Sequence, residues 1–466
     1  MTEGAGPTKL KREMSGFGGM IITLTGLSPS IGVFIAAPVI IQQSGSFVVA
    51  ACVMAVLLGL VVSGVYAELG SAFPNAGGDY VLIGETLGPT LRFASLASMM
   101  LGFPVGMALS ALGIADFLRV IAPAIQPVPC ALICIALVTA LAALSVKMNA
   151  WITGLFLVAE IAAMIATALL GFLHPHRDLL QALIHPMVAA SGGGLKPTPL
   201  LAMGVAGSAA VYALNGYGSA VMFGEEVVGA RRKMIWMIYG ALLLGAATII
   251  PPLAGVVVGA RDLARLSASP SPLQDFVLEA GGPRIAALIS LGVALAVFNA
   301  MIAIALMGGR VVYAAAREKS WRPGLNAVLS KVHPRYGSPW VATMVVGAVS
   351  LALAFLPLSV LVLMSGSAMS IVYGLLALGV IVGRRTGSTE KSHSRMPWHP
   401  VGPGIVVLAA IAVLAAALAD KGSGRPAAMV SLGVMTVGAL YYRLVVRRAG
   451  AWSHHEPDEE QALASA

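Results

Sequence analysis

The sequence predicts an all-α membrane protein with twelve transmembrane helices, the first ten forming an inverted repeat of five plus five. Three observations lead to this fold class. Of the 466 residues, 58% are hydrophobic and only 11% are charged, and the mean hydropathy is +0.89, which excludes an ordinary soluble globular protein. Apolar runs long enough to cross roughly 30 Å of hydrocarbon recur along the chain. The first and the sixth of these runs are interrupted at corresponding places.

Each predicted span is an apolar run bounded by polar or turn-forming residues. In chain order the runs cover about residues 17–41, 47–69, 94–121, 128–146, 150–172, 200–223, 235–258, 285–309, 339–356, 359–382, 401–419 and 427–446. Pro357 separates the ninth run from the tenth, because proline ends a helix. The chain is thus divided into a polar lead (1–15), a ten-helix core (16–385), two extra C-terminal helices (386–448) and a polar tail (449–466).

The net charge of +9 follows from membrane topology and does not indicate a nucleic-acid partner. If the N-terminus is cytoplasmic and the twelve spans alternate, most of the 29 lysines and arginines fall in cytoplasmic segments. This bias is the positive-inside rule. It predicts a multi-pass protein of the cell (inner) membrane, surrounded by the lipid bilayer, with both termini in the cytoplasm.

The first and sixth predicted spans contain residues that a membrane helix should avoid. The first is interrupted by Ser28-Pro29-Ser30-Ile31-Gly32 and the sixth by Asn215-Gly216-Tyr217-Gly218. Proline removes a backbone donor and glycine weakens a helix. Hydrocarbon offers no water to the freed groups, so an unwound turn survives only inside protein or beside a polar cavity. Paired breaks of this kind point to a transporter's binding site.

The ends of the half-helices at each break carry opposite partial charges, which suits a zwitterion such as an amino acid. The amides of Ile31, Gly32 and Val33 could hold a carboxylate. Carbonyls near Leu27, Ser28 and Leu214 could hold an ammonium. The alternative is a proline kink used only for packing. The predicted substrate contacts are Ser28, Pro29, Ser30, Ile31, Gly32, Tyr212, Leu214, Asn215, Gly216 and Tyr217. An amide in mid-membrane, such as that of Asn215, needs a partner, whereas each tyrosine could equally pack against a neighbouring helix.

Charged residues inside spans are costly and mark function by default. Glu160, near the middle of the fifth span, is the clearest of them and is a candidate for proton coupling. A fixed hydrogen bond to a neighbouring helix is the alternative. Asp116 lies one turn from Arg119, which favours an ion pair at the outer end of the third span over substrate contact.

Three glutamates at cytoplasmic helix ends are candidates for a latch on an inner gate. They are Glu68, Glu225 and Glu226, with Arg231, Arg232 or Arg310 as possible partners. Solvated helix-end charges are the alternative of equal weight.

Three motifs in order resemble the amino acid–polyamine–organocation family of permeases. The first runs from Tyr66 to Tyr80 (YAELGSAFPNAGGDY), the second from Tyr212 to Glu226 (YALNGYGSAVMFGEE), and the third begins at Phe298 and ends in GRVVYAAARE up to Glu318. The resemblance covers roughly residues 15–385. It implies a leucine-transporter-like fold, alternating access and amino acid or amine substrates. It also implies that Tyr217 or Tyr212 gates the substrate, and that the fifth span lies close to the first break.

The sequence departs from this family at two places. Ser28-Pro29 stands where many relatives have a glycine-rich signature, and Gly218 stands where many have an acidic residue. The second departure removes a charge that a cationic side chain would meet, so a neutral amino acid or a simple amine is favoured over arginine or polyamine. Asn299 lacks the hydroxyl pair usual in a sodium site, which disfavours sodium coupling.

The sequence therefore predicts a permease that moves a small amino acid and is driven by protons or by exchange. The alternatives are an amine permease, for example for ethanolamine, and a channel or membrane sensor that retains the fold. No phosphate-binding loop and no catalytic triad can be assembled, so we expect no enzyme activity and no cofactor. The loop that carries His174, His176 and His185 has no cysteine and no acidic cluster, so we expect no metal site.

Overall fold

The structure is a helical membrane bundle with one small strand pair. This computed structural model describes residues 15–74, 77–143, 150–190, 192–224, 227–334 and 338–449. Within these ranges the two strands are antiparallel, and Val188 is paired with Lys196. The described chain is otherwise helical or without regular structure.

The first two hundred residues form short and long helices followed by the strand pair. In chain order these are α1 (Gly16–Leu27), α2 (Pro29–Ile31), a π-helical turn (Gly32–Ala36), α3 (Ala37–Ser44), a 3-10 turn (Gly45–Phe47), α4 (Val48–Ala72), α5 (Asp79–Leu87), α6 (Pro89–Ile121), α7 (Pro127–Ala143), α8 (Ala150–Phe172), α9 (Leu179–Ile184), β1 (Met187–Ala189) and β2 (Leu195–Pro197).

The remainder of the described chain is entirely helical in its regular structure. Its elements are α10 (Leu200–Ala213), a 3-10 helix (Tyr217–Phe223), α11 (Ala230–Gly259), α12 (Leu263–Ala268), α13 (Pro272–Arg317), α14 (Pro323–Leu329), α15 (Trp340–Leu353), α16 (Leu358–Thr386), α17 (Val401–Ala419), α18 (Gly424–Tyr441), a π-helical turn (Tyr442–Val446) and α19 (Arg447–Ala449).

Eight helical segments among the described residues are long and apolar enough to cross a membrane. They are Gly16–Ala72, Pro89–Ile121, Leu200–Phe223, Ala230–Gly259, Pro272–Arg317, Leu358–Thr386, Val401–Ala419 and Gly424–Val446. Shorter apolar helices cover Pro127–Ala143, Phe156–Phe172 and Trp340–Leu353. The prediction of a multi-pass membrane protein is therefore confirmed. The first segment contains α1 to α4 and turns at Gly45, where φ is 58°.

Both predicted interruptions are present in the backbone. Helix α1 ends at Leu27, and Ser28 adopts the left-handed conformation with φ 47° and ψ 83°. Pro29 then opens α2, a position where its missing N–H would have no helical partner in any case. Helix α10 ends at Ala213, and Gly216 has a φ of 122°, a value that glycine adopts readily.

The eighth predicted span covers only part of a longer helix. Helix α13 begins at Pro272, passes a kink at Gly282 with φ 74°, and continues to Arg317. The segment before the kink was expected to be a loop. It is helical because Leu273, Phe276 and Val277 form a buried apolar face at helical spacing.

Three long helices each pack against several neighbours in the bundle. Helix α13 packs on α6, α8 and α15, helix α11 packs on α1, α4 and α8, and helix α16 packs on α10, α17 and α18. Helix α5 lies against α6 and α16. We call the end of the bundle that carries Arg92, Arg317 and Arg384 the basic end. The opposite end carries α9, the strand pair and α12.

Helices α8 and α11 approach each other through glycines. A Cβ added at Gly171 would overlap the carbonyl oxygen of Gly255, and one added at Gly259 would overlap the Gly171 backbone. Small residues of this kind let the backbones of membrane helices come into direct contact.

Replacing Gly171 with valine is expected to destabilise the protein, because the new side chain must displace the α11 backbone. We expect a loss of about 1–3 kcal/mol, seen as a lower melting temperature of the purified protein in detergent. Gly433→Val is the matched control, since a Cβ at this exposed helical glycine meets nothing within 4 Å. Equal melting temperatures for the two variants would contradict the close contact.

Candidate functional site

The two breaks lie directly against each other. A Cβ added at Gly216 would overlap the Cα of Leu27, and one added at Gly32 would overlap the carbonyl oxygen of Ala213. Only glycine allows this approach of one unwound backbone to the other. The end of α1 therefore meets the turn that follows α10, and the start of the π-helical turn meets the end of α10.

The backbone of the first break is partly satisfied by itself. The carbonyl oxygen of Ser28 accepts hydrogen bonds from the amides of Ile31 at 2.9 Å and Gly32 at 3.4 Å. These two amides were expected to be open to a substrate carboxylate. They are instead turned toward Ser28, because its left-handed conformation directs its carbonyl back over the first turn of the next helix.

Glu160 reaches the first break from α8. Its Oε1 accepts a hydrogen bond from the Ser30 amide at 2.7 Å, and the Ser30 hydroxyl lies beside the same carboxylate. The side chain is only 7% exposed. A carboxylate at the amide end of a half-helix is favoured by the partial positive charge there. The Glu160 carboxylate thus satisfies one of the backbone amides that the break leaves without a helical partner.

Several buried polar atoms near the breaks have no hydrogen-bond partner among the described residues. They are Ser28 Oγ, Ser30 Oγ and Ser219 Oγ. Ser219 lies on the 3-10 helix after the second break, and its Oγ would be 3.3 Å from a Cβ at Gly26. Unpaired buried polar atoms cost roughly 1–3 kcal/mol each. Such groups are expected where a polar ligand completes the site.

The second break is held by an aromatic hydroxyl from α16. The backbone N–H of Asn215 donates to the Tyr212 carbonyl at 3.0 Å. The hydroxyl of Tyr373 donates to the side-chain oxygen Oδ1 of Asn215, also at 3.0 Å. The side-chain Nδ2 of Asn215 is then directed away from Tyr373. Leu214 is buried, and Tyr212 is half-buried one turn before Asn215.

Three tyrosines meet beneath the second break and form what we call the tyrosine cluster: Tyr66, Tyr217 and Tyr373. The Tyr66 ring meets Tyr217 and Tyr373 edge-on, with centroids 6.3 and 6.0 Å apart, and Tyr217 lies 6.1 Å from Tyr373. All three are buried. The Tyr66 ring also fills the space beside Gly218, since a Cβ there would come within 2.5 Å of it.

The tyrosine cluster was only partly foreseen. Tyr217 was a candidate, but Tyr66 appeared only within a motif and Tyr373 was not singled out. Asp79, which hydrogen-bonds the Tyr66 hydroxyl, was likewise missed. A signal was present for Tyr373, because a phenol within an otherwise apolar span needs a polar partner when it is buried.

Glu68 forms an ion pair with a different arginine from those proposed. Its Oε1 accepts from Arg384 Nε at 2.8 Å, and its Oε2 accepts from Arg384 Nη2 at 2.6 Å. The Met396 amide also donates to Oε2, at 2.7 Å. The expectation of Arg231, Arg232 or Arg310 is corrected here, because the end of α16 lies beside α4 at the basic end.

Two of the remaining charged candidates, Asp116 and Arg310, lie on α6 and α13. Asp116 Oδ1 is 4.0 Å from Arg119 Nη1, three residues along α6. Arg310 is an exposed residue of α13. Glu225 and Glu226 lie outside the described residues.

A further charge cluster ties α5 to its neighbours at the basic end. Arg92, which is 3% exposed, donates to both carboxylate oxygens of Glu318 at 3.0 and 2.9 Å and to Glu85 at 3.1 Å. Its guanidinium also lies 5.2 Å from the centre of the Tyr80 ring. A buried arginine that binds two carboxylates in this way holds α5, α6 and the end of α13 in one arrangement.

The chain is similar in sequence to known permeases and transporters. The sequence profile of a family described as "Amino acid permease" matches residues 16–440. A branched-chain amino acid permease BcaP of Bacillus subtilis is 25% identical over 423 residues, 87% of this chain and 88% of the relative. A methylthioribose transporter of the same organism is 24% identical over 425 residues, 84% and 86% of the two chains. An uncharacterized transporter of Mycobacterium tuberculosis is 27% identical over 372 residues, 75% and 74%.

Removing Arg384 is expected to destabilise the protein, because it leaves Glu68 buried without its cation. Loss of one partner of a buried pair costs about 3 kcal/mol, so Arg384→Ala should lower the melting temperature in detergent. The neighbouring Arg385 is exposed, and Arg385→Ala is the control that should change little. If both variants had the melting temperature of the unchanged protein, the ion pair between Glu68 and Arg384 would have no stabilising role.

Proposed function

The chain belongs to the amino acid permease family, and from this membership and the site geometry we propose that it is a secondary transporter. Its substrate is a small amino acid, which it carries across the cell membrane by alternating access. One observation carries the proposal: two unwound segments lie against each other and present buried polar atoms that have no partner in the described part of the chain. Such a site suits a solute that is enclosed and then released.

The proposed topology is the one that the sequence favours. Twelve spans, of which the first ten form the inverted repeat, leave both termini on one side. The basic end then faces the cytoplasm, because lysine and arginine accumulate on that side of a membrane. The helices that contain the two breaks are the first and sixth spans of this arrangement.

The proposed substrate is neutral in its side chain. Glu160 is the carboxylate closest to the first break, and it is engaged by Ser30. Gly218 adds no charge, and its space is filled by Tyr66. The relatives are named for branched-chain amino acids and methylthioribose, neither of which carries a cationic side chain. The Ser28 hydroxyl and Asn215 Nδ2 are the polar groups that we assign to the solute.

The proposed cycle uses two barriers at the basic end. The tyrosine cluster separates the breaks from that end, and the pair between Glu68 and Arg384 joins α4 to α16 just beyond it. Release of substrate to the cytoplasm requires the three rings to separate. Glu160 is proposed as the residue that couples transport to protons, since it joins α8 to the first break.

Two alternatives remain distinct from this proposal. An amine permease, for example for ethanolamine, would need no carboxylate on its substrate. A channel or membrane sensor would need no occluded site. The contact between the breaks favours a carrier, because it sets the two unwound backbones directly against each other.

Counterflow in proteoliposomes is the first test. Vesicles preloaded with unlabelled substrate should accumulate labelled substrate transiently, because a carrier exchanges one solute for another. The panel should contain small neutral amino acids, ethanolamine and methylthioribose, with arginine as the cationic control. Stimulation by amines alone would support the amine permease. Flux that does not saturate and does not depend on preloading would exclude a carrier.

Glu160→Gln separates proton coupling from binding. Glutamine keeps an oxygen that can accept from the Ser30 amide but cannot exchange a proton at ordinary pH. Uptake driven by a pH gradient should be abolished while counterflow at uniform pH is retained. Glu279→Gln is the control, since Glu279 is half-exposed beside Arg261 and far from the breaks. Unchanged gradient-driven uptake in Glu160→Gln would remove Glu160 from the coupling mechanism.

A further inference from the structure

Asp79 is a buried carboxylate that the proposed cycle does not use. It is the first residue of α5, outside the membrane-length helices, and it is only 7% exposed. The Tyr66 hydroxyl hydrogen-bonds to it. Asp79 therefore lies directly below the tyrosine cluster, on the side of the basic end.

A chain of polar groups leads from Asp79 to the second break. Tyr66 is in ring contact with Tyr217 and Tyr373, and the Tyr373 hydroxyl donates to Asn215 at 3.0 Å. Tyr217 and Tyr373 are also hydrogen-bonded to each other. One layer of rings thus connects Asp79 to Asn215.

The charged groups on the helices around Asp79 form ion pairs with other residues. On α6, Arg92 binds Glu85 of α5 and Glu318 of α13. On α4 and α16, Glu68 and Arg384 bind each other. Within the described part of the chain, the titratable groups that face Asp79 are the hydroxyls of Tyr66, Tyr217 and Tyr373. Glu225 and Glu226, which follow the 3-10 helix in the sequence, lie outside the described residues.

Burial without a cation makes ionisation of Asp79 unfavourable while the cluster is closed. Loss of water raises the pKa of Asp79 from 3.8 to about 6, and the hydrogen bond from Tyr66 opposes part of this rise. A raised carboxyl pKa means that the closed form binds a proton more tightly than a hydrated form does. The closed form is therefore most stable below about pH 4 and loses this stabilisation as the pH rises through 6.

We propose that Asp79 is a protonation site that keeps the tyrosine cluster closed when it is protonated and releases it when it is ionised. When the cluster opens, the O–H bond of the carboxyl breaks and the proton passes to water at the basic end. The inference rests on the proposed function, because it takes the cluster to be the inner gate of a carrier. It adds a second proton site to that gate, separate from Glu160.

Hydrogen–deuterium exchange of the peptide covering residues 77–87 tests the proposal without measuring transport. Rates are corrected for the chemical effect of pH and compared between about pH 4 and pH 7. With the Asp79 pKa at about 6 in the closed form and 3.8 in a hydrated form, the opening equilibrium is expected to rise about fiftyfold between these two pH values. Asp79→Asn cannot ionise, so its peptide should stay protected at every pH. Glu390→Gln, which changes an exposed carboxylate just after α16, is the control and should keep the wild-type midpoint.

Tyr66→Phe gives a second test that does not depend on the folding of Asp79→Asn. It removes the hydroxyl that stabilises the carboxylate, so the pH midpoint of opening should move upward. A wild-type peptide without a transition, a transition that persists in Asp79→Asn, or an unmoved midpoint in Tyr66→Phe would each overturn the proposal. Failure of wild-type counterflow with the exchange transition intact would instead overturn the proposed function.

Discussion

The structure depends on one constraint, which is that backbone groups freed inside the hydrocarbon must be satisfied by protein. At the first break the Ser28 carbonyl accepts from Ile31 and Gly32, and Glu160 accepts from Ser30. The left-handed conformation of Ser28 allows its carbonyl to accept these two bonds. The bond between Glu160 and the Ser30 amide fixes the position of α8, because the carboxylate on that helix must reach the amide. A membrane helix can thus be interrupted here only because a neighbouring helix completes it.

The interruptions were predictable from the sequence because their causes are local. Proline and glycine act on their own residues and their immediate neighbours, so Pro29 and Gly216 could be identified without knowledge of the packing. The composition likewise predicted a multi-pass membrane protein. The eighth predicted span begins close to the kink at Gly282. The helical segment before that kink was missed, since hydropathy alone did not distinguish a loop from the amphipathic start of α13. The apolar face of that segment becomes meaningful only when the helices that cover it are known.

The partners of the polar side chains could not be predicted, because they join residues that are distant in the chain. Glu68 and Arg384 are 316 positions apart, and Asn215 and Tyr373 are 158 apart. A single sequence gives no measure of which helices are neighbours. Gly218 illustrates the same limit. The sequence indicated a missing charge at this position, whereas the packing reveals that the Tyr66 ring needs the space.

The close contact between the two breaks has a mechanical consequence. Gly216 lies on Leu27 and Gly32 lies on Ala213 without room for a side chain, so neither unwound segment can rotate alone. A solute that contacts both segments at their edge would meet the same backbone atoms whichever face of the membrane is open. Its intrinsic affinity would then be equal on the two sides, and the direction of net movement would be decided by concentration and by the coupled ion.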